Sequence, residues 1–189
     1  MGIVLASGSP RRLELLKMIG LEDIRVIADT SDEVIIPGLP PVEQVCRLSL
    51  QKACNVGHLC SGEDIIIAAD TLVYICGKPL GKPDSESAAA AMLAELSGRM
   101  HSVYTGVTLI RGAKHMTAAE RTDVYFRDIS DREIEMYVKT GEPVDKAGAY
   151  AAQGRAAIFI ERIEGEFFNV IGLPVCRLVK MLKKYGVEL

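Results

Sequence analysis

The sequence predicts an α/β fold built around a mixed sheet, on three observations. Strand-like apolar runs alternate with helical patterns, which favours parallel pairing across helical crossovers. Two pairs of extended runs are instead separated by short Gly-containing turns, which favours antiparallel hairpins. The third is size: 189 residues, 49% hydrophobic and 25% charged, are enough for a core without disulfide or metal staples. One domain spanning residues 1–189 is expected, either undivided or formed of two lobes around a cleft.

Taken in order, Ile3 to Ala6 reads as a strand, broken by Ser7-Gly8-Ser9-Pro10. Arg11 to Ile19 reads as a helix, with Ser9 as the N-cap candidate, Pro10 suited to the first turn and Gly20 as the stop. Ile24 to Ala28 is a second strand, and the acidic, Pro/Gly-punctuated Asp29 to Pro41 is a loop. Val42 to His58 carries Val45, Leu48, Ala53 and Val56 at near-helical spacing. Asp64 to Asp70 holds Ile-Ile-Ile-Ala-Ala, the pattern of a buried strand, and Leu72 to Ile75 can extend it. Gly77 to Pro83 reads as a loop and Ser85 to Ser97 as an alanine-rich helix. Ser102 to Ile110 and Thr117 to Phe126 form a hairpin near Gly112. Asp131 to Lys139 is a helix capped by Ser130. Ile158 to Ile163 and Phe167 to Ile171 read as a second strand pair, and Pro174 to Tyr185 as a closing helix.

Twenty-two Lys and Arg against 25 Asp and Glu leave a net charge of −3, too acidic for a binder of nucleic-acid polymers. Aromatics make up 5% and Trp is absent, which leaves few platforms for stacked bases. The five cysteines include no CxxC pair, so neither a zinc cage nor a disulfide framework is suggested. No apolar run approaches the ~20 residues of a membrane span, and the N-terminus lacks a basic n-region. A reducing cytoplasm is the expected setting, with no membrane partner.

Four segments can carry chemistry. In Ser7-Gly8-Ser9-Pro10-Arg11-Arg12, small residues precede a helix N-terminus, whose free N–H groups and dipole attract anions. Arg11 and Arg12 add forked donors suited to phosphate. The alternative is a capped surface helix with solvated arginines. Asp70 closes a buried run, where sites in α/β proteins open, and can bind a cation or activate water. Glu33 is a second carboxylate from the acidic loop; the alternative for each is a cap or a solvated charge. Gly81-Lys82-Pro83-Asp84 can hold Lys82 rigidly at a developing negative charge, or be a plain turn. Lys52 is uninformative alone. In Asp145 to Gly154, the Gln153 carboxamide has both a donor and an acceptor, which suits the imide edge of uracil or thymine; the alternative is a loop glutamine bonded to backbone.

In combination these segments resemble the Maf family of nucleoside triphosphate pyrophosphatases. The resemblance rests on Ala6–Leu16 (ASGSPRRLELL), Ala68–Val73 (AADTLV), Leu80–Asp84 (LGKPD), Leu96–Val107 (LSGRMHSVYTGV), Gly141–Gly154 (GEPVDKAGAYAAQG) and Asn169–Pro174 (NVIGLP). It implies an elongated mixed sheet flanked by helices, of the inosine-triphosphate-pyrophosphatase type, with a nucleotide cleft between two lobes. It implies hydrolysis of the α–β phosphoanhydride of a nucleoside triphosphate, aided by Mg²⁺ or Mn²⁺. Asp70 matches the family's catalytic carboxylate and, with Glu33, its metal position. Ser7, Arg11, Arg12, Lys52 and Lys82 match phosphate-handling and cleft positions. Arg12, Thr71 and Gln153 match positions tied to base specificity. The DKAGAY…QG form resembles the branch acting on dTTP and UTP. A homodimer is a family-level expectation. Hydrolysis of 7-methyl-GTP, of modified nucleotides, and a non-enzymatic role in septum formation are the alternatives.

Overall fold

In the computed structural model, which describes residues 2–31 and 33–189, seven strands join one sheet. The elements are β1 (Ile3–Leu5), α1 (Pro10–Met18), β2 (Ile24–Val26), α2 (Pro41–Gly57), β3 (Ile65–Ile75), β4 (Lys78–Leu80) and α3 (Glu86–Leu96). After them come β5 (Met100–Arg111), β6 (Lys114–Phe126), α4 (Asp131–Val138), β7 (Ile160–Glu164), α5 (Phe167–Ile171) and α6 (Val175–Lys183). The strand order is β2-β1-β3-β5-β6-β7, with β4 on β3. β1 lies parallel to both β2 and β3, whereas β3–β4 and β6–β7 are antiparallel. The expected α/β class with a mixed sheet is therefore observed.

Contacts divide the chain into two compact units. The first comprises Met1–Thr71, Thr105–Glu120 and Gly172–Leu189; the second comprises Leu72–Tyr104 and Arg121–Ile171. In the first unit, α2 covers one sheet face. Its Ala53 and Val56 pack on Val4, Ala6, Ile66 and Ala68. The fit depends on Gly106 of β5, where a Cβ atom would lie 2.1 Å from the Val45 carbonyl oxygen of α2. Beside it, Ser49 and Thr108 share a 2.9 Å hydrogen bond. Successive strand residues point to opposite faces, so Asp70 continues the α2 face of Ile66 and Ala68, and Thr71 faces the other way.

The second unit has its own core, in which Val73, Leu80, Leu93, Val103, Phe126, Tyr137 and Phe159 cluster. α4 opens with a capping box, Ser130 accepting from Glu133 N and Glu133 reaching back to the Ser130 backbone. This is the cap expected from sequence.

Two expectations are corrected in this unit. Lys78–Leu80 is a strand rather than part of a loop. Cys76 and Gly77 take φ values of 48° and 79°, the two left-handed residues of a tight hairpin turn, and Val73 then pairs with Leu80. Phe167–Ile171 is helical rather than extended. Gly165, at φ 123°, turns the chain so closely over β6 that a Cβ there would lie 3.1 Å from Arg121 O. Buried Asn169 then reaches inward, donating to Val103 O at 3.1 Å and to Thr122 Oγ1 at 3.0 Å. Tertiary packing overrides the β-propensity of this apolar run.

Candidate active site

Asp70 stands on the α2 face, and the helix presents Lys52 to it. Ala53 and Val56 fix the rotation of α2 on the sheet, which places the preceding Lys52 at the carboxylate. Lys52 Nζ donates to Asp70 Oδ1 and, at 2.6 Å, to Glu33 Oε1. Asp70 is 2% exposed, and its Oδ2 has no hydrogen-bond partner among the described residues. Burial pushes the Asp70 carboxyl above its ordinary range. Lys52 opposes that shift and Glu33 adds to it.

Glu33 is held by its neighbours. The buried Gln44 side chain accepts from Ile36 N at 2.9 Å and donates to Val34 O at 3.2 Å. Arg47 also donates to Val34 O.

A second cluster forms on the opposite face, where β1 ends. β1 pairs with β3 only as far as Leu5 opposite Ile67, so the Ser7–Ser9 loop stands beside the continuing strand. Pro10 occupies the first turn of α1, but Ser9 makes no side-chain cap bond, contrary to expectation. The Ser7 hydroxyl serves this loop instead, accepting from Ser9 N at 3.3 Å.

Arg12 joins the cluster. Its Nε donates to Gly172 O at 2.8 Å, Nη1 to Ser7 Oγ at 3.0 Å and Nη2 to Thr71 Oγ1 at 3.1 Å. Thr71 Oγ1 lies 2.9 Å from Thr105 Oγ1. Burial lowers the Arg12 pKa; the charges of Asp70 and Glu33 oppose this and Arg11 adds to it. An arginine nevertheless stays charged, and both carboxylates favour that charge. Arg11 is partly buried in the same first turn, with no side-chain hydrogen bond found among the described residues.

Lys82 and Gln153 belong to the second unit, and both are exposed. Their segments are joined, since Gly148 N donates to Gly81 O at 3.1 Å. Gly148 takes φ 71°, and a Cβ there would meet Val73 at 3.1 Å, so the loop packs closely on the strand. Nearby, buried His101 bonds Tyr150 through Nε2 at 2.8 Å, and burial holds its pKa down to about 4.

The structure thus groups Asp70, Lys52 and Glu33, and groups Ser7, Arg12 and Thr71. Sequence reasoning missed Thr105, Gly172 and Gln44. The first two lie inside the resembling segments Leu96–Val107 and Asn169–Pro174, which was the available signal. Nothing local marks Gln44. No cluster of three or more His, Cys, Asp or Glu side chains suited to a metal occurs among the described residues. Two carboxylates suffice for a dication that also binds substrate phosphates, and the unpartnered Asp70 Oδ2 fits such a ligand.

The Maf-like family model matches residues 2–185, which include every candidate site residue. The chain belongs to the Maf-like family. Among relatives of this Maf-like chain, the dTTP/UTP pyrophosphatase of Pelotomaculum thermopropionicum is 48% identical over 186 residues, covering 97% of this chain and 96% of the relative. That of Moorella thermoacetica is 48% identical over 189 residues, covering 98% and 96%. Among solved structures, a HAM1 protein from Coxiella burnetii superposes with a TM-score of 0.51 at 17% identity, covering 97% of this chain and 99% of that one. This last likeness concerns the Maf-like fold alone.

Proposed function

We propose that this Maf-like protein hydrolyses dTTP and UTP to the nucleoside monophosphate and diphosphate. The observation that carries the chemistry is Asp70. One carboxylate oxygen is fixed by Lys52 and the other is buried with no partner among the described residues. A carboxylate so held has one oxygen ready to accept a proton from an attacking water, and its raised pKa brings it closer to a working base. Arg11, Arg12, Lys52 and Lys82 supply the positive charge that phosphoryl transfer requires. Three of the Arg12 donors are spent on Gly172, Ser7 and Thr71, so Arg12 also ties these three residues together. A divalent cation, Mg²⁺ or Mn²⁺, held by Asp70 and Glu33, would neutralise charge on the phosphate oxygens.

The base preference is assigned to Gln153, with Thr71 and Arg12. Near-half identity to dTTP/UTP pyrophosphatases over almost the whole length supports the substrate class. A cytoplasmic setting is supported by five cysteines that form no disulfide among the described residues. No helix among the described residues is long and apolar enough to cross a membrane. A homodimer rests on the family resemblance.

The deciding experiment measures diphosphate release from dTTP, UTP, CTP, GTP and 7-methyl-GTP with Mg²⁺, Mn²⁺ or EDTA. Preference for dTTP and UTP, abolished by EDTA, is expected. Preference for 7-methyl-GTP would overturn the base assignment. Turnover that survives EDTA would overturn the cation. Tight binding without turnover would turn the reading to a nucleotide sensor.

A further inference from the structure

We propose that Tyr137 and Glu142 are positioning residues that set the base preference by clamping the turn that carries Gln153. The proposal rests on the reading of Gln153 given above. Tyr137, at the end of α4, donates its hydroxyl to Glu142 Oε1 at 2.8 Å and accepts from Ala151 N at 3.3 Å. Glu142 Oε2 accepts from Arg155 N at 3.1 Å. Ala151 and Arg155 lie two residues before and two after Gln153. One hydrogen-bonded pair of side chains therefore grips both flanks of the turn, which closes on itself through Gly154 N to Ala151 O at 3.0 Å.

The pair is itself well anchored. The Tyr137 ring packs edge-on to Phe159 at 5.4 Å, and Glu142 N is bonded to Thr140 Oγ1 at 3.2 Å. Burial and the Glu142 carboxylate raise the Tyr137 pKa, so the phenol stays protonated and can donate. Gly154 completes the clamp. A Cβ there would fall 2.2 Å from Glu142 Oε1, so the carboxylate occupies the space a side chain would need. Its φ of −109° is open to any residue, so it is closeness that favours glycine: a side chain there would displace the Glu142 carboxylate from the clamp.

The chemistry explains why a clamp matters. Uracil and thymine present an N3–H donor between carbonyl acceptors, whereas cytosine presents an acceptor beside an amino donor. A loosely held carboxamide satisfies either by flipping, because it offers both roles. Discrimination requires Gln153 to approach from one fixed direction, and small misplacements of a recognition group cost up to about 100-fold.

The test compares kcat/KM for dTTP and CTP. Tyr137→Phe keeps the ring and deletes both hydroxyl bonds. It should lower the dTTP-over-CTP ratio by about 10-fold, through a higher KM for dTTP with kcat within about twofold. Glu142→Gln should move the ratio in the same direction, and decides the matter if Tyr137→Phe does not fold. In a Gln153→Ala background, neither substitution should change the ratio further. If Gln153→Ala alone leaves the ratio unchanged, the reading of Gln153 fails. If Gln153→Ala lowers it while both clamp variants leave it intact, or they lower it further without Gln153, the clamp is refuted and the Gln153 reading stands.

Discussion

The hydroxyl of Thr105 lies 2.9 Å from that of Thr71, which also accepts from Arg12 Nη2 at 3.1 Å. Thr71 Oγ1 thus accepts from Arg12 while sharing a second hydrogen bond with Thr105, in which either hydroxyl can donate. Thr105→Val removes that partner from a fully buried position, at a cost of about 1–3 kcal/mol. Chemical denaturation should show the loss, with kcat/KM on dTTP falling about 10-fold. Thr105→Ser should restore both, and equal behaviour of the two variants would contradict the chain.

Asp70 sets activity against stability. Its carboxyl is raised in the folded protein, so the unfolded chain releases this proton at lower pH than the native one. Ionisation then weighs against the fold as pH rises through the ordinary carboxylate range toward the raised value, and that cost persists above it. Asp70→Asn should match or exceed wild-type stability at neutral pH, lose that advantage below the ordinary carboxylate range, and turn over at least about 100-fold more slowly. Melting curves across pH, set beside diphosphate release, check both halves.

His101 gives a pH dependence of the opposite kind. Its pKa falls from 6.5 to about 4 on burial, so the unfolded chain binds a proton that the native one refuses. The neutral form's advantage is complete above pH 6.5 and is lost as pH falls from 6.5 toward 4. The loss amounts to about 3 kcal/mol. Urea midpoints over that interval should fall more steeply for wild type than for His101→Phe.

Gly106→Ala should be among the most damaging small substitutions. The added methyl would meet the Val45 carbonyl oxygen at 2.1 Å and its carbon at 2.4 Å, and both are helix backbone that cannot rotate away. Overpacking of this kind costs about 1–3 kcal/mol. Because α2 carries Lys52, activity should fall beyond what the population of folded protein explains. A variant with wild-type melting temperature would contradict the packing described here.

Ser130→Ala should cost about 1 kcal/mol through the lost cap of α4. Glu133 is held down to about 2 by Arg127, together with the Ser130 backbone and hydroxyl. The stability contributed by that carboxylate is present above its ordinary range and disappears as pH falls toward 2. Acid titration should narrow the gap between the two proteins there, leaving the part due to the bond from Glu133 N to Ser130 Oγ.

The alternation of helix and strand was legible because apolar spacing reports which side of an element is covered. Two segments were not. The turn at Cys76–Gly77 lacks the usual Asn-Gly or Asp-Gly signal, which hid β4. Phe167–Ile171 has strand-like composition, but buried Asn169 and the tight turn at Gly165 decide its conformation from a distance. At the site, Asp70 was conspicuous as an acid closing a buried run. Lys52 was not, because its meaning depends on how Ala53 and Val56 rotate α2 on the sheet. The links from Arg12 to Gly172 and from Thr71 to Thr105 span 160 and 34 residues, and no local pattern reveals such pairs.

Asp70 and Thr71 are neighbours in the chain and lie back to back on one strand. Inserting or deleting a single residue between Ile67 and Asp70 would exchange them, sending the hydroxyl toward Lys52 and the carboxylate toward Arg12. Loops elsewhere can lengthen or shorten through descent at little cost. This stretch cannot, so its residue count should be inherited unchanged even where its apolar identities drift.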